Sequence, residues 1–205
     1  MKKLSTKLIT LLLSGIFLIN TSALAEQSIR LNILDELDPT DPRIEKILEY
    51  YDNEYFKATG QSAIIKDGPE KGACHRSGCA VWANVSIAEQ KMDLYVNGVL
   101  TYTWQVSTGK RGKETPSFDQ NPNGRIYDKY SSTIYPGGDY NGLGNMPYAV
   151  FIRGGYAIHG TTESNWPLLG TPVSSGCIRL HPDYGFIFNR LIRKNGIGAT
   201  WITVF

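Results

Sequence analysis

The alternation of apolar and polar residues after Val81 predicts three consecutive β-strands. The runs VWANVSI, KMDLYV and VLTYTWQVS are rich in β-branched and aromatic residues, which favour strands. Asn97 and Gly98 separate the second run from the third, and both residue types tolerate the positive φ of a two-residue hairpin turn. We therefore expect a β-hairpin that turns at these two residues.

Strand patterns return in the C-terminal part of the chain. YAVFI and YAIHG flank Arg153-Gly154-Gly155 and predict a second hairpin, and ATWITVF predicts a final strand. Between them, PDYGFIFNRLIRKNG predicts a short helix that begins at Pro182 and ends near Gly196. Residues 109–145 are rich in Gly, Pro, Asn, Ser and Tyr and predict one long loop, such as a lid over a functional site.

The segment DPRIEKILEYYDNEYFKATG has the periodicity of an amphipathic helix. We expect Asp41 to cap it, Pro42 to occupy its first turn and Gly60 to end it. Five apolar residues at helical spacing are expected to pack on one face: Ile44, Ile47, Leu48, Tyr51 and Tyr55. The expected fold is therefore a β-dominated α+β domain with a short helical N-terminal extension.

The first 25 residues have the layout of a secretory signal peptide. Three lysines precede and border an apolar run over residues 8–19, and Ala23-Leu24-Ala25 follows as a cleavage site. That run is shorter than the roughly 18 residues of a membrane-spanning helix, although an uncleaved anchor is the alternative. We expect residues 1–25 to be a signal peptide, residues 26–72 an extension and residues 73–205 the main domain of a protein exported to the periplasm or cell envelope.

The charges of the chain are unevenly distributed. Residues 26–72 hold 11 acidic and 6 basic side chains, whereas residues 73–205 hold 8 acidic and 12 basic ones. The near balance over both parts gives no reason to expect a nucleic-acid partner or stable membrane insertion after signal cleavage. The excess of basic residues in the second part is suited to an anionic ligand, and the acidic extension either docks against it or forms a solvated face.

The three cysteines suggest one disulfide and one free thiol. Cys74 and Cys79 lie close together in CHRSGC, and disulfides persist in exported proteins. A zinc site that includes His75 is the alternative, but structural zinc usually takes four ligands and no fourth is evident nearby. Pairing Cys74 with Cys79 leaves Cys177 as a thiol to be considered for reactivity.

Cys177 lies in the stretch VSSGCIRL, and His159 ends the predicted strand YAIHG eighteen residues earlier. A neighbouring histidine either takes the proton of a thiol or holds the thiolate in an ion pair, with a pKa of roughly 3.5–7.5. His75 lies within the presumed disulfide loop, and His181 at a helix start is expected to be structural. The residues alone leave open whether Cys177 is a nucleophile or a buried, inert thiol.

Gly176 serves a second requirement of acyl transfer. Negative charge develops on the carbonyl oxygen under attack, and backbone N–H groups aimed at that oxygen stabilise it. A glycine at this turn frees the backbone to present such groups, including the N–H of Cys177 itself. Gly160, next to the histidine, allows a chain or a ligand to approach closely.

The pattern IHGT…G-x-PVSSGCIRL, from Ile158 to Leu180, resembles the L,D-transpeptidase family, whose catalytic domain is called YkuD. Further pieces that are similar to the family occur in the expected order, namely LYVNGVLTYTWQVSTGK, ETP and GGYAIHGT. The resemblance covers roughly residues 80–205. It implies a β-sandwich-like catalytic domain, an exported enzyme without metal or organic cofactor, and peptidoglycan stem peptides as its substrate.

The resemblance also implies roles for individual residues. Cys177 matches the family nucleophile and His159 the histidine that activates it. Ser174, Gly176 and Arg179 match positions of the family's Ser-His-Gly-Cys-x-Arg form, but Ser175 stands where that form has a second histidine. Proton transfer would then fall to His159 alone, with Ser175 as a donor near the oxyanion. Candidates for substrate binding are Arg153, Tyr148, Gly160 and Arg179.

The reaction implied is thioester formation at the third stem residue with release of the terminal D-alanine. Transfer to an amine would give a cross-link or exchange a D-amino acid, and transfer to water would be carboxypeptidase activity. A sortase-like transpeptidase and a non-catalytic cell-wall-binding module are the alternatives from other classes. The sequence does not distinguish among the possible acceptors.

Overall fold

A computed structural model of the protein describes residues 42–60, 62–64, 70–132 and 138–205. The predicted signal peptide lies outside these residues. Within them the chain forms a larger and a smaller β-sheet and two α-helices. In chain order the elements are α1 (Ile44–Thr59), β1 (Val81–Ser86), β2 (Lys91–Val96), β3 (Val99–Gln105), β4 (Phe118–Gln120), β5 (Val150–Arg153), β6 (Tyr156–Gly160), β7 (Ile178–Leu180), α2 (Pro182–Asn195) and β8 (Thr200–Val204).

The larger sheet has the strand order β3-β2-β1-β8-β4. The hairpin between β2 and β3 is confirmed, because Asn97 and Gly98 form its turn with φ values of 50° and 77°. The C-terminal strand β8 is parallel to β1 and antiparallel to β4. It is therefore a central strand, which explains why its last three residues are all buried.

The smaller sheet has the order β5-β6-β7 and is buried on both faces. The predicted hairpin of β5 and β6 is confirmed, and β7 adds to β6 in parallel. Val150 pairs with Ile158, and both face the first core between the two sheets, which α2 also covers. Phe151 pairs with Ala157, and both face a second core on the opposite side. This mixed, mostly sheet arrangement confirms the expected fold class.

Helix α1 covers the second core. Ile44, Ile47, Leu48 and Tyr55 are buried there, as the helical spacing predicted, while Tyr51 is half-buried. Gly60 ends the helix in the left-handed conformation, as expected, with a φ of 70°. The helix begins at Ile44 with Arg43 as its N-cap, so the prediction of Pro42 in the first turn is wrong, and Asp41 lies outside the described residues.

Ion pairs at the edge of the second core attach α1 to the sheet domain. Arg125 donates from Nε to Asp52 at 2.9 Å and from Nη1 to Glu45 at 3.0 Å. Asp52 also accepts a short hydrogen bond from the hydroxyl of Tyr127. Of the two possibilities for the acidic extension, docking is the one observed for its helix.

The described part of residues 109–145 is irregular, as predicted, except for one short strand, but the suggestion that the segment is a lid is wrong for much of its length. Phe118–Gln120 form β4 at the edge of the larger sheet, and Ile126, Tyr127 and Tyr130 are buried to 3% exposure or less. Aromatic residues of this segment pack in the second core. Their burial fixes the position of the segment although many turn-forming residues surround them. Residues 115–132 therefore pack on the domain through buried side chains and are not a lid.

The second helix is as predicted, and two of the three cysteines are bridged. The helix α2 spans Pro182–Asn195 and is followed by Gly196, as predicted. Cys74 and Cys79 are joined through their sulfur atoms, with their Cα atoms 5.0 Å apart, and Cys177 carries a free thiol. Among the described residues, no helix is long and apolar enough to cross a bilayer.

Candidate active site

Cys177 lies immediately before β7, at the end of a turn that only glycine forms easily. Gly176 has a φ of 120°, and a Cβ atom added there would lie 3.1 Å from the ring of Tyr156. The residue is half-buried and its thiol faces the carbonyl of Gly155, with 3.4 Å between Sγ and that oxygen. The residue is thus half-buried as a whole at the rim of the second core, while burial of the thiol itself is the main influence on its pKa.

His159 lies on β6 and pairs in register with Arg179 of the neighbouring parallel strand β7. Side chains alternate across a sheet, so Cys177, two residues before Arg179, lies diagonally from His159 on the same face. The imidazole is only 4% exposed. The structure therefore brings together the thiol, the imidazole and the guanidinium that the sequence singled out.

The tautomer of His159 follows from its hydrogen bond. Nδ1 lies 2.7 Å from the carbonyl oxygen of Gly160, and a carbonyl only accepts. Nδ1 therefore carries the proton and donates a hydrogen bond to the carbonyl oxygen of Gly160. The lone pair is left on Nε2, which is the atom able to act as a base.

Burial keeps both reactive groups neutral. Burial lowers the pKa of His159 to about 3. The charge of Arg179 lowers this pKa further, whereas the hydrogen bond to Gly160 raises it. Burial raises the pKa of Cys177 to about 11, although the N–H of Ala157 and the charge of Arg179 both lower it. Of the two possibilities that the sequence left open, this environment favours proton transfer to a neutral imidazole over a resting ion pair.

Ser174 fixes the turn from the inside. Its buried hydroxyl donates to the carbonyl of Cys177 at 2.5 Å and accepts the N–H of Gly176 at 3.2 Å. The N–H of Gly176 is therefore engaged within the turn, which corrects the expectation that it is free to face an oxyanion. The glycine is required by its φ and by the closeness of Tyr156.

Thr115 holds the same turn through a second pair of hydrogen bonds, a role that the sequence analysis did not predict. Its hydroxyl donates to the carbonyl of Gly176 at 2.7 Å and accepts the N–H of Gly109 at 2.8 Å. A Cβ atom on Gly109 would lie 1.9 Å from the carbonyl oxygen of Lys113, so only glycine fits there. The STGK and ETP segments of the sequence therefore meet at the turn that precedes Cys177. Both segments belong to the family pattern, and this was the feature of the sequence that could have indicated a role for Thr115.

Arg179 and Ser175 lie at the open side of the turn. Both are half-buried, and Nη1 of Arg179 lies 3.4 Å from the side-chain oxygen of Asn165. The backbone of Arg179 is fixed by a reciprocal pair of hydrogen bonds with Ser107 at 2.9 and 3.0 Å. The guanidinium therefore extends from a rigid strand next to the thiol.

The three remaining substrate-binding candidates lie in different places. Arg153 is exposed at the end of β5, with its guanidinium 5.0 Å from the centre of the Phe118 ring. It lines a cleft of about 510 Å³ together with Arg125 and Lys71, and neither Cys177 nor His159 is among the described residues lining this cleft. The structure does not bring Arg153 into the cysteine site.

Tyr148 and Gly160 have packing roles. The ring of Tyr148 packs edge-on against Phe186, and burial raises its pKa. The space that Gly160 leaves is filled by the chain, because a Cβ atom there would lie 2.8 Å from Pro182 and 3.0 Å from Pro147. The close approach expected at Gly160 is therefore made by two prolines.

The other two histidines are placed as the sequence suggested. His181 precedes α2, accepts the N–H of Asp183 at 3.4 Å and packs against Trp166. His75 lies between the two bridged cysteines and packs against Trp201 of β8.

The sequence profile of the YkuD family, described as the L,D-transpeptidase catalytic domain, matches residues 80–196. Similar solved structures include an L,D-transpeptidase from Mycobacterium smegmatis (20% identity, TM-score 0.45, 62% of this chain and 59% of that one). An L,D-transpeptidase from Mycobacterium tuberculosis is 24% identical, with a TM-score of 0.46 over 62% of this chain and 58% of that one. An L,D-transpeptidase from Stackebrandtia nassauensis is 18% identical, with a TM-score of 0.49 over 65% of this chain and 58% of that one. The chain thus spans about three fifths of the length of these structures. No curated protein matches it significantly.

Proposed function

Because this chain belongs to the YkuD family of L,D-transpeptidase catalytic domains, we propose that it is a cysteine-dependent L,D-transpeptidase that acts on peptidoglycan stem peptides. The observation that carries the proposal is the position of a free thiol two residues before Arg179, the residue that pairs in register with the buried His159 on the neighbouring strand. Residues 73–205 are the catalytic domain and residues 26–72 the extension. The alternative of a wall-binding module without activity gives no reason for such a pair.

The first half of the reaction forms a thioester. Sγ of Cys177 attacks the carbonyl carbon of the third stem residue while Nε2 of His159 accepts the thiol proton. The bond to the terminal D-alanine breaks, and His159 returns the proton to the leaving amine. In the second half an amine of another stem attacks the thioester, and the thiol is restored.

The turn around Cys177 supplies the oxyanion donors. The N–H of Gly176 is engaged by Ser174, so the N–H of Cys177 and the hydroxyl of Ser175 are the donors we assign to the developing oxyanion. Ser174 and Thr115 hold the turn from two sides and spare it reorganisation during the reaction. Arg179, next to the thiol, is the partner we assign to a stem carboxylate.

Export completes the proposal. Residues 1–25 are the signal peptide, and the mature protein acts in the periplasm or cell envelope, where a bridge between Cys74 and Cys79 persists. Stem peptides are found in that compartment. The excess of basic residues in residues 73–205 is suited to their free carboxylates.

The deciding experiment supplies purified residues 26–205 with a disaccharide tetrapeptide and follows the products by mass. A dimer joined between two third residues, or exchange of the terminal D-alanine for an added D-amino acid, supports transpeptidation. Tripeptide and free D-alanine alone, at every acceptor concentration, would identify a carboxypeptidase instead. Cys177→Ala is the control that removes all of these products.

A further inference from the structure

Tyr130 has a buried hydroxyl that the rest of the domain does not explain. The residue is 3% exposed, and its hydroxyl oxygen has no hydrogen-bond partner among the residues that the structure describes. A buried hydroxyl without a partner destabilises the folded protein, so native structures satisfy nearly all such groups. A hydroxyl retained at this cost points to a partner that appears only during function.

The ring of Tyr130 is fixed on several sides. Its centre lies 4.9 Å from the rings of Tyr51 and Tyr127 and 5.3 Å from that of Phe151. Its backbone N–H donates to Leu143 and its carbonyl accepts from Met146. Tyr51 belongs to α1, so the docked extension forms part of the wall that holds this hydroxyl in place.

Cys177 packs against the same cluster of side chains. The second core contains Tyr130, and the thiol of Cys177 borders it from the smaller sheet. Burial raises the pKa of Tyr130 well above its usual range, and the nearby Tyr51, Tyr127 and Cys177 raise it further. The hydroxyl therefore stays protonated throughout the working pH range, and toward an anion it is a donor.

The hydrogen-bonding needs of the sulfur change during the reaction. As a thiol, Cys177 donates to the carbonyl of Gly155, with 3.4 Å between Sγ and the oxygen. As a thiolate it donates nothing and requires donors in a buried place where water is scarce. The N–H of Ala157 is one such donor. A second donor in the adjoining core would lower the cost of forming the anion.

We propose that the hydroxyl of Tyr130 donates a hydrogen bond to Sγ of Cys177 when the thiol loses its proton to His159, and that α1 holds the tyrosine in place through Tyr51. This deepens the proposed function, since it names a further catalytic residue of the same site. It also gives the extension a role in the chemistry. The proton of Tyr130 stays on its oxygen throughout, and the thiol proton goes to Nε2 of His159.

The test measures the reactivity of Cys177 without any peptidoglycan substrate. Alkylation by iodoacetamide is followed from pH 6 to 11 in Tyr130→Phe and in the wild type. Losing the donor should raise the apparent pKa of Cys177 and slow alkylation at pH 8 about tenfold, since one pKa unit changes the thiolate fraction tenfold. With tetrapeptide substrate, kcat should fall about tenfold while KM stays within about twofold, because the interaction arises only after binding.

Tyr55→Phe is the matched control. It removes a hydroxyl from the same core, on α1 next to Tyr127, and should leave both the alkylation profile and kcat unchanged. An unchanged profile in Tyr130→Phe, with unchanged or raised thermal stability, would overturn the proposal and leave an idle hydroxyl. A shifted profile in a protein that turns over no stem peptide would instead retain this inference and reject the proposed function.

Discussion

At the scale of single residues, the free protein should hold a neutral thiol beside a neutral imidazole. Burial disfavours both charged forms, raising the pKa of Cys177 to about 11 and lowering that of His159 to about 3. The alkylation rate should therefore keep rising between pH 8 and 11. Iodoacetamide kinetics on the wild type would measure this, and a plateau reached below pH 7.5 would indicate the thiolate–imidazolium pair instead.

The same burial makes His159 a source of acid sensitivity. Its pKa is lower in the folded state than the ordinary value of 6.5, so the unfolded chain binds the proton more readily. Stability should be complete above about pH 6.5 and decline as the pH falls toward the folded pKa. Urea unfolding at pH 7 and pH 4 should show a smaller loss in His159→Gln than in the wild type. An equal loss in both proteins would place the sensitivity elsewhere.

His159 and Cys177 should also act as a unit. His159→Ala should reduce activity nearly as much as Cys177→Ala, on the order of a thousandfold, and the double variant should lose little more. Ser175→His should stay within about tenfold of the wild type, because Nε2 of His159 already supplies the base. His181→Ala is the control, since His181 packs on Trp166. A larger loss in His181→Ala than in His159→Ala would reassign the base.

The identity of these residues could be predicted, but their electrostatics could not. Cys177 and His159 stand in a specific pattern of residues, which is visible in a sequence. The pKa values depend on how deeply the second core encloses them, and α1 and Tyr130, which enclose it, lie 47 or more positions away from Cys177. The sequence predicts that Gly176 helps the turn to present N–H groups, but it does not show that Ser174 accepts the N–H of Gly176 itself.

At the scale of elements, the turn before β7 depends on Thr115. Thr115→Val removes the donor to Gly176 and the acceptor from Gly109, and it leaves both backbone groups buried without that partner. We expect a loss of about 2 kcal/mol in the free energy of unfolding and a fall in kcat, because the turn carries Cys177. Thr101→Val, on the exposed side of β3, is the control and should change neither. Normal kcat in Thr115→Val would mean that the turn is held by Ser174 alone.

Helix α1 should contribute to both stability and activity. Asp52→Ala leaves Arg125 with Glu45 as its remaining carboxylate partner in a mostly buried position and removes the acceptor of Tyr127. We expect about 2 kcal/mol of destabilisation in urea unfolding, together with lower kcat. Glu54→Ala breaks an exposed pair with Lys57 and should cost less than about 0.5 kcal/mol. Similar effects of the two changes would mean that the helix is only loosely attached.

Local patterns predicted the strands and turns that are stabilised locally. Asn97 and Gly98 fix their hairpin through backbone conformation alone, and Gly60 ends α1 for the same reason. Strand β4 was missed because its three residues depend on pairing with β8, about 80 positions away. The docking of α1 was left open for a similar reason, since its apolar face indicates burial without naming the surface that covers it.

At the scale of the whole molecule, the smaller sheet lies between the first core and the second core. One face packs on the first core with the larger sheet, and the other carries the cysteine site and the core under α1. Alternating residues of the same short strands therefore serve stability and chemistry at once. A change on one face, such as at Ile158, should affect the position of His159 next to it on the other.

The two kinds of cysteine should behave independently in the whole molecule. Cys74 and Cys79 bracket a turn in which Arg76 pairs with Asp119 of β4 and His75 packs on Trp201 of β8, whereas Cys177 borders the second core. Peptide mapping without reductant should find one alkylatable cysteine, Cys177. Replacing Cys74 and Cys79 by serine should lower the free energy of unfolding by about 2 kcal/mol, because the bridge closes a short loop. Activity should stay within about twofold of the wild type, since this turn touches the larger sheet and not the cysteine site. Finding Cys177 in a disulfide would remove the nucleophile from the proposed reaction.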